Sequence, residues 1–587
     1  MGGKSWELSK EGTAFLFYLA LSAAVLFPLV RNFGHVIAGG TDAFIHYWDL
    51  WWIYRGAWLP GQSLFWTDYL DYPIGQPLYL RPFNLTSILM VGPVYGLAGL
   101  TAAHAATTLL AFVLSGFFTY LLVYRLVGNR WAALFSGLIF TLSPFHLAHT
   151  QGGHVSMSCL QWLPLDLLAL VSWWEKRSWA RAIGVGLCLG LTFFTDWYLA
   201  LYALVATGLW VAAGVLGKEA PRDRRLWAGL FAAGLVALML AIPVLLPALG
   251  ILKQAPRPAG HLSFSADVVG FFVPGSTSVW GPATETVWRD FTGNNYENGN
   301  YLGYVSLAFA LAGAWSWKQG RRVWLWIAGA GLLLSLGPYL KVGGHYEFPT
   351  TWLGLFQPLG DWVRETIVGL YPDWSISAGH LALPLPYLAL KSLPFLNVSR
   401  APARFVALVV LGMSVLAGAG LAHMLGRRKG NTRLVLAILP LLLVGVEFWP
   451  RLTFLQPRLP EGFEVLQGKG RGFAIADLHF APLAAFYQTQ HGLKLMGAYG
   501  GRGYQPAIDF LKHHSLHEFL RGGTAPHSLA PILATLRQHD VRYIVVPVRR
   551  QAILEALRSL EVGEIYSGPG LSIFRTTGSD SSRPEVP

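Results

Sequence analysis

Four carboxylates and an imidazole crowd one stretch of the chain. GGTDAFIHYWDLWWIYRGAWLPGQSLFWTDYLDYPIGQPLYLRPFN (residues 39–84) carries Asp42, His46, Asp49, Asp68 and Asp71. A carboxylate so placed can take a proton from an attacking hydroxyl or hold a cation. Asp42 follows a Gly-Gly-Thr turn. If a helix follows, His46 and Asp49 at i+4 and i+7 share its face. Asp42 then stands where a side chain also caps free amides, and capping and catalysis are compatible. Tyr47, Trp48, Trp51, Trp52, Tyr54 and Trp58 suit an amphipathic helix lying at the headgroup level of a membrane.

A second polar stretch, SPFHLAHTQGGHVSMSCLQWLPLD (143–166), places His146, His149 and His154 around a Gly-Gly turn, with Asp166 beyond. Such a loop can donate hydrogen bonds to a phosphate or a sugar. Zinc would need another ligand at defined spacing, and none follows in this stretch. Asp196, in FFTDWYLALYA, sits where two apolar runs meet, and an acid at a membrane edge is costly unless it serves a purpose. GNNYENGNYLG (293–303), with Tyr296, Glu297 and Tyr301, suits carbohydrate binding or any exposed loop. In PFLNVSRAPARFVALVV (394–410), Arg400 and Arg404 offer forked, permanently charged grips for a phosphate. Snorkelling of long side chains from an apolar segment is the plainer alternative. GxxxxGKST, HExxH, GxSxG and CxxC are all missing, so nucleotide hydrolysis and zinc proteolysis find no support.

What positions these residues is a membrane. Of 587 residues, 53% are hydrophobic and 13% charged, against about 25% charged in a soluble protein. One soluble core cannot hide so much apolar surface. Apolar stretches near the length of a span fall at about 13–30, 103–124, 131–146, 158–174, 182–198, 199–216, 226–250, 302–317, 323–340, 404–425 and 434–449. The stretch 85–99 fits the count only as a half-helix or interfacial helix. The expectation is a polytopic α-helical protein with about 11–13 transmembrane helices.

Net charge is +13, but its distribution argues against a nucleic-acid partner. Residues 1–450 hold 29 Lys and Arg, of which 18 sit in short clusters such as Lys176/Arg177/Arg181 and Arg427/Arg428/Lys429/Arg433. The other 11 are spread over the long loops 31–85, 251–301 and 341–403, with Arg404 just past the end of the last. By the positive-inside rule the clusters and the N-terminus are cytoplasmic and the long loops lie outside. The first span reads as an uncleaved anchor. Cys159 and Cys188 both lie in apolar runs and imply neither a disulfide framework nor a thiolate metal site.

The expected organisation is a transmembrane domain over 1–450, an extracytoplasmic α/β domain over 451–577 and a disordered tail, 578–587. FAIAD (473–477), VRYIVVPV (541–548) and SIFRTT (572–577) read as strands, and 505–520 and 528–539 have helical spacing.

GGTDAFIHYWDLWW and YPIGQPLYL in a large loop after the first span resemble the membrane glycosyltransferases of the GT-C fold. These include protein mannosyltransferases, lipid A aminoarabinose transferases and YfhO-like bacterial proteins. YRLVGNRWAALFSGLIFTLSPFHLAH, QWLPLDLLAL, NVSRAPARF and YQTQHGLKLMGAYGGR extend the resemblance over the chain in order. It implies a sugar on a polyprenyl-phosphate donor, moved to a lipid, glycan or protein acceptor on the outer face of the cytoplasmic membrane. In that family the catalytic acid opens the first outer loop, which corresponds to Asp42. Arg400 and Arg404 are then candidates for the donor phosphate, with His46, Asp49, His149, His154 and Asp196 as further site residues. Some members hold a divalent metal on an Asp-x-Asp in this loop. Asp42 and Asp49 are no such tight pair, so the metal stays unassigned. A carrier for lipid-linked sugars, or a non-catalytic subunit that keeps the fold, is the alternative; transporters show internal repeats that are not evident here.

Overall fold

The computed structural model describes residues 2–576 except 82, 218–222, 253–259, 391–398, 468, 470–471, 498–503, 522–527, 561 and, apart from 358, 365 and 377, 350–379. Most of the loop 341–403 and the tail 578–587 lie outside the described residues. The chain packs as two compact units.

The first unit comprises Met1–Arg31, Ala106–Leu240 and Arg257–Thr453. Among the described residues of the whole chain, six helices are long and apolar enough to cross a membrane: Gly92–Val127, Arg130–Gly152, Trp197–Leu216, Arg224–Leu252, Pro402–Gly426 and Gly430–Glu447. Glu11–Val25, Trp179–Thr195 and Tyr304–Ser316 are shorter apolar helices. With Trp162–Glu175 and Arg321–Ser335, they correspond one for one to the apolar stretches read from sequence. The protein is a multi-pass membrane protein. The stretch 85–99 forms the short helix Leu85–Met90 and the opening of Gly92–Val127, where Gly99 breaks helical geometry with φ +81°.

Small residues set the core of this unit. The Pro402–Gly426 segment is 94% buried, while Arg224–Leu252 and Gly430–Glu447 are 17% buried and present their apolar faces outward. A Cβ on Gly313 would collide with the Leu416 carbonyl, and one on Gly420 with that of Phe309. The helices Tyr304–Ser316 and Val406–Gly426 therefore meet backbone to backbone, the close approach that glycine permits between membrane helices.

The second unit comprises Asn32–Ala105, Ala241–Pro256 and Phe454–Pro587. Its centre is a mixed sheet of β1 (Ala474–Asp477), β2 (Lys494–Leu495), β3 (Val541–Pro547), β4 (Gly563–Ser567) and β5 (Leu571–Arg575), in the order β4-β5-β3-β1-β2. β1 runs parallel to β2 and β3, and β5 antiparallel to β3 and β4. The three strand runs read from sequence are β1, β3 and β5. The helical spacings are Gln505–His513, Leu516–Arg521 and Ala530–Gln538.

The long loop that follows the first span, from Asn32 onward, belongs to this second unit. Its residues 69–72 extend along edge strand β2: the Leu495 amide donates to the Tyr69 carbonyl (2.9 Å) and the Tyr72 amide to that of Leu495 (3.1 Å). Lys494 pairs with Asp68 at 2.5 Å. An exposed edge is thereby covered. The loop's helix α1 (Ala43–Tyr54) packs on α2 (Ala481–His491). Phe44 stacks on Phe486, and Trp48 donates its indole N–H to Gln488 Oε1 at 2.7 Å. The interfacial-helix expectation fails here: Tyr47, Trp48, Trp51 and Trp52 are buried in protein, and only Trp58 of the aromatic run stands well exposed. An α2 helix able to cover α1 lies more than four hundred residues away in sequence, beyond the reach of local periodicity.

Candidate functional site

Within the first unit, a buried polar cluster forms where three chain segments converge. Pro144–Gly152 starts cleanly because Ser143 accepts a capping bond from the His146 amide and Pro144 occupies the first turn. It ends at Gly153, whose φ of +79° reverses the chain. The reversal brings His154 back beside His149, with the two Nδ1 atoms 2.9 Å apart. One ring must donate and the other accept.

The second segment is GNNYENGN. The Asn294 side chain accepts from the amides of Tyr296 (3.0 Å) and Glu297 (2.9 Å), a local turn that presents Glu297. A Cβ on Gly299 would strike Ala148, and one on Gly152 would meet the Tyr296 ring at 2.9 Å. The loop lies flat on the histidine helix because both contact points lack a side chain.

The third segment is the entry to the Pro402–Gly426 helix. Arg404 donates from Nε (2.9 Å) and Nη2 (2.6 Å) to Glu297 Oε1 and lies over the Tyr198 ring at 4.8 Å. Glu297 Oε2 is 3.9 Å from His149 Nε2, and neither atom has a hydrogen-bond partner among the described residues. Burial alone would raise the Glu297 carboxyl, but Arg404 and then His149 hold it down at about 2. It is therefore an anion throughout the physiological range.

His149, His154 and Glu297 can each offer an atom to one cation, the three atoms lying within 4.8 Å of one another. Two imidazoles and a carboxylate are a zinc-type donor set that leaves a coordination position open. Two of the three donors are buried atoms with nothing to bind, so the site fits a divalent metal. The sequence showed the histidines and also Glu297, but the third ligand comes from a separate loop, so spacing could not join them.

Asp196 caps Trp197–Leu216, accepting from the Tyr198 amide at 2.8 Å and from Ser156 Oγ at 2.7 Å. It thereby fastens the His154 turn to the next helix. Arg400 and Arg404 point apart: Arg400 is exposed over the Phe264 ring, 5.7 Å away, while Arg404 points inward to Glu297.

Asp42, His46 and Asp49 are in the second unit. Asp42 occupies the N-cap position of α1 without making a capping bond, half-buried. His46 follows on the same face, buried, its ring edge-on to His104 at 5.2 Å. Burial first, then the neighbouring His104 and Arg81 charges, push His46 well below its ordinary range, so it is neutral. Asp49 pairs with Arg81 (Nε–Oδ1 2.5 Å), and Arg81 lies over Trp48 at 4.7 Å. Burial raises Asp49 to about 6 against the pull of Arg81. Asp49 ties the loop's far end to α1. Sequence reading singled out the acid and not Arg81.

Residues 12–448 match the family described as domain of unknown function DUF6311, and the chain belongs to that family. No curated protein matches it. Three structures of the arabinofuranosyltransferase AftD from Mycobacteria resemble it at TM-scores of 0.52, 0.52 and 0.56, with 15% identity and 96% of this chain covered. The chain spans only 40–42% of the length of those proteins. ArnT from Cupriavidus metallidurans (TM-score 0.46, 13% identity, 96% of this chain and 98% of that one) is also similar. So is the Archaeoglobus fulgidus oligosaccharyltransferase (0.46, 14%, 98% and 74%). The fold is the GT-C fold of membrane glycosyltransferases.

Proposed function

We propose that this member of the DUF6311 family is a membrane glycosyltransferase that moves a sugar from a polyprenyl-phosphate donor to an acceptor on the outer face of the cytoplasmic membrane. The N-terminus is cytoplasmic and the C-terminal α/β domain extracytoplasmic in this reading, which the placement of the basic clusters supports. The observation that carries it is the buried Arg404–Glu297–His149–His154 cluster in a GT-C membrane fold. Buried polar atoms left without a partner beside an ion pair with a shifted carboxyl are rare in a merely structural helix bundle and cluster at functional sites.

Asp42 is assigned to the acceptor hydroxyl, which it orients and deprotonates as general base. Its position at a helix N-terminus, where a carboxylate is favoured, supports that role. Neutral His46 below it places no second charge on the same face. Arg404 and Arg400 are assigned to the leaving polyprenyl phosphate, with Arg404 oriented by Glu297 and Tyr198. A divalent ion held by His149, His154 and Glu297 would supply Lewis-acid charge for the phosphate oxygens.

The test uses the full chain in nanodiscs with radiolabelled polyprenyl-phosphate sugars and a cell-envelope extract. Transfer by the wild type and a loss of about 10²–10⁴-fold in Asp42→Asn are expected, the range of a general base. Transfer that persists in Asp42→Asn removes the base assignment. Donor binding without transfer by the wild type favours a carrier.

A further inference from the structure

The two halves of the proposed metal site come from separate segments of the first unit. His149 and His154 stand on either side of the Gly153 turn, and Glu297 stands in the loop before the helix Tyr304–Ser316. His149 Nε2 and Glu297 Oε2 are 3.9 Å apart. Donor atoms around a tetrahedral ion are about 3.3 Å apart, given bonds of about 2.0–2.1 Å. An ion therefore draws the two segments slightly together, and its affinity depends on how firmly they are already held near that spacing.

One stretch of chain is fastened to both. Glu447 ends the helix Gly430–Glu447, and its carboxylate caps the helix that follows the Glu297 loop. Oε1 accepts from the Tyr304 amide (2.6 Å) and the Tyr301 hydroxyl (2.7 Å), and Oε2 from the Val305 amide (3.2 Å). A carboxylate is favoured at such free N-terminal amides. Tyr301 is buried, and a Cβ on Gly303 would strike the Phe448 ring, so the exit of the loop is seated closely on residues 447–448. Beyond Glu447 the chain pairs with residues 277–279. The Val279 amide donates to the Trp449 carbonyl (3.1 Å) and the Arg451 amide to that of Thr277 (2.7 Å).

Thr453 then meets the histidine helix. Its amide donates to Gln151 Oε1 (2.7 Å), and Gln151 Nε2 donates to its Oγ1 (2.6 Å). This closed pair uses both ends of the glutamine amide, on a residue that lies between His149 and His154 in sequence. The contacts of Gly299 with Ala148 and of Gly152 with Tyr296 limit how closely loop and helix approach, but packing is not directional. The hydrogen bonds of Glu447 and Gln151 are, and they fix the register.

We infer that Glu447–Thr453 is a strap that sets the spacing of the metal site, with Gln151 and Glu447 as its positioning residues. The inference rests on the reading of His149, His154 and Glu297 as a metal site. A strap acts in series: releasing either end frees the same distance, whereas two unrelated local contacts act independently.

The full chain in nanodiscs, stripped of metal, is titrated with cobalt(II), whose visible absorption reports its ligand geometry, and affinities are read by competition with a chelator. A cobalt spectrum is expected in the wild type. Gln151→Met should weaken cobalt binding about 10–100-fold, the usual cost of losing a group that orients metal ligands. Thr453→Ser keeps the hydroxyl and the amide and should bind as the wild type does. Glu447→Gln should also weaken binding, and the double variant with Gln151→Met should lose no more than the more severe single change. The Gln151 bonds are exposed, so the metal-free unfolding midpoint of Gln151→Met should match the wild type. If Glu447→Gln fails to fold, Gln151→Met and Thr453→Ser decide alone. Wild-type affinity in Gln151→Met, an equal loss in Thr453→Ser, losses that multiply in the double variant, or a metal-free midpoint that falls with the affinity each overturns the inference and leaves the metal reading standing. A wild type without a cobalt spectrum overturns both.

Discussion

Glu297→Gln tests the buried cluster most directly. The carboxyl falls from an ordinary 4.5 to about 2 because Arg404 and His149 outweigh its burial. At about 1.36 kcal/mol per pH unit, that difference stabilises the fold by about 3 kcal/mol at neutral pH. Removing one partner of a buried pair costs about 3–5 kcal/mol by an independent route, and the side chains here are only 13% and 3% exposed. Glutamine keeps a carbonyl for the guanidinium to bond but leaves its charge buried and unpaired. Since the folded value lies below the unfolded one, this contribution is complete above about pH 4.5 and fades as pH falls toward about 2. The deficit of Glu297→Gln should therefore be the same at pH 7 and pH 5. Adding Arg404→Met should cost less than the sum of the single changes, by about 1–3 kcal/mol, because the stranded charge goes with its partner. Reversible denaturant unfolding in mixed micelles, followed by tryptophan fluorescence, measures all of this. A loss below about 1 kcal/mol in Glu297→Gln, or strict additivity in the double variant, refutes the reasoning.

Asp71 gives the opposite pH signature: burial lifts it to about 7 despite Arg521, so the stability it lends is full below about 4 and lost as pH rises through 7. Asp71→Asn keeps a residue tolerant of the observed φ of +53° and should stabilise the chain at pH 8, by at most about 4 kcal/mol, and not at pH 4; an equal effect at both pH values would show that the carboxyl titrates normally. Gly299→Ala pushes the Glu297 loop off Ala148 and should cost about 1–3 kcal/mol together with most of the transfer activity; full activity would mean the loop need not lie against the histidine helix. Zinc added to the purified chain should raise its unfolding midpoint, and His154→Ala should abolish the rise; a midpoint indifferent to zinc in the wild type removes the metal assignment.

The spans were legible because a bilayer demands long apolar runs, and β1, β3 and β5 because their β-branched runs are bounded by turns. What escaped is pairing at a distance. The Trp48 helix looked like a membrane-surface helix because nothing nearby could cover its aromatic faces, whereas Phe486 and Gln488 do so from the C-terminal domain. Asp49 looked like a site acid because Arg81 is 32 residues away. Arg400 and Arg404 looked alike as neighbours on a helix entry, yet one is exposed on Phe264 and the other spends two donors on a carboxylate 107 residues distant. Local spacing locates an element, but the charge balance of a site is settled by contacts that spacing does not reach.

That balance bears on the donor phosphate. Arg404 reads from sequence as a forked grip for a phosphate, but Glu297 neutralises it, and both bonded nitrogens share one oxygen, Oε1. The Arg404–Glu297 pair itself carries no net charge and offers a polyprenyl phosphate little Coulombic attraction. Phosphate recognition at this cluster therefore needs a further cation, and Glu297 Oε2 with His149 Nε2 are the unsatisfied atoms that can hold one. With an ion held there, Arg404 would serve mainly to keep Glu297 ionised and aimed, and the ion would supply positive charge for the phosphate. The two assignments stand or fall together: a cluster that binds no divalent ion leaves exposed Arg400 as the better phosphate ligand of the two arginines.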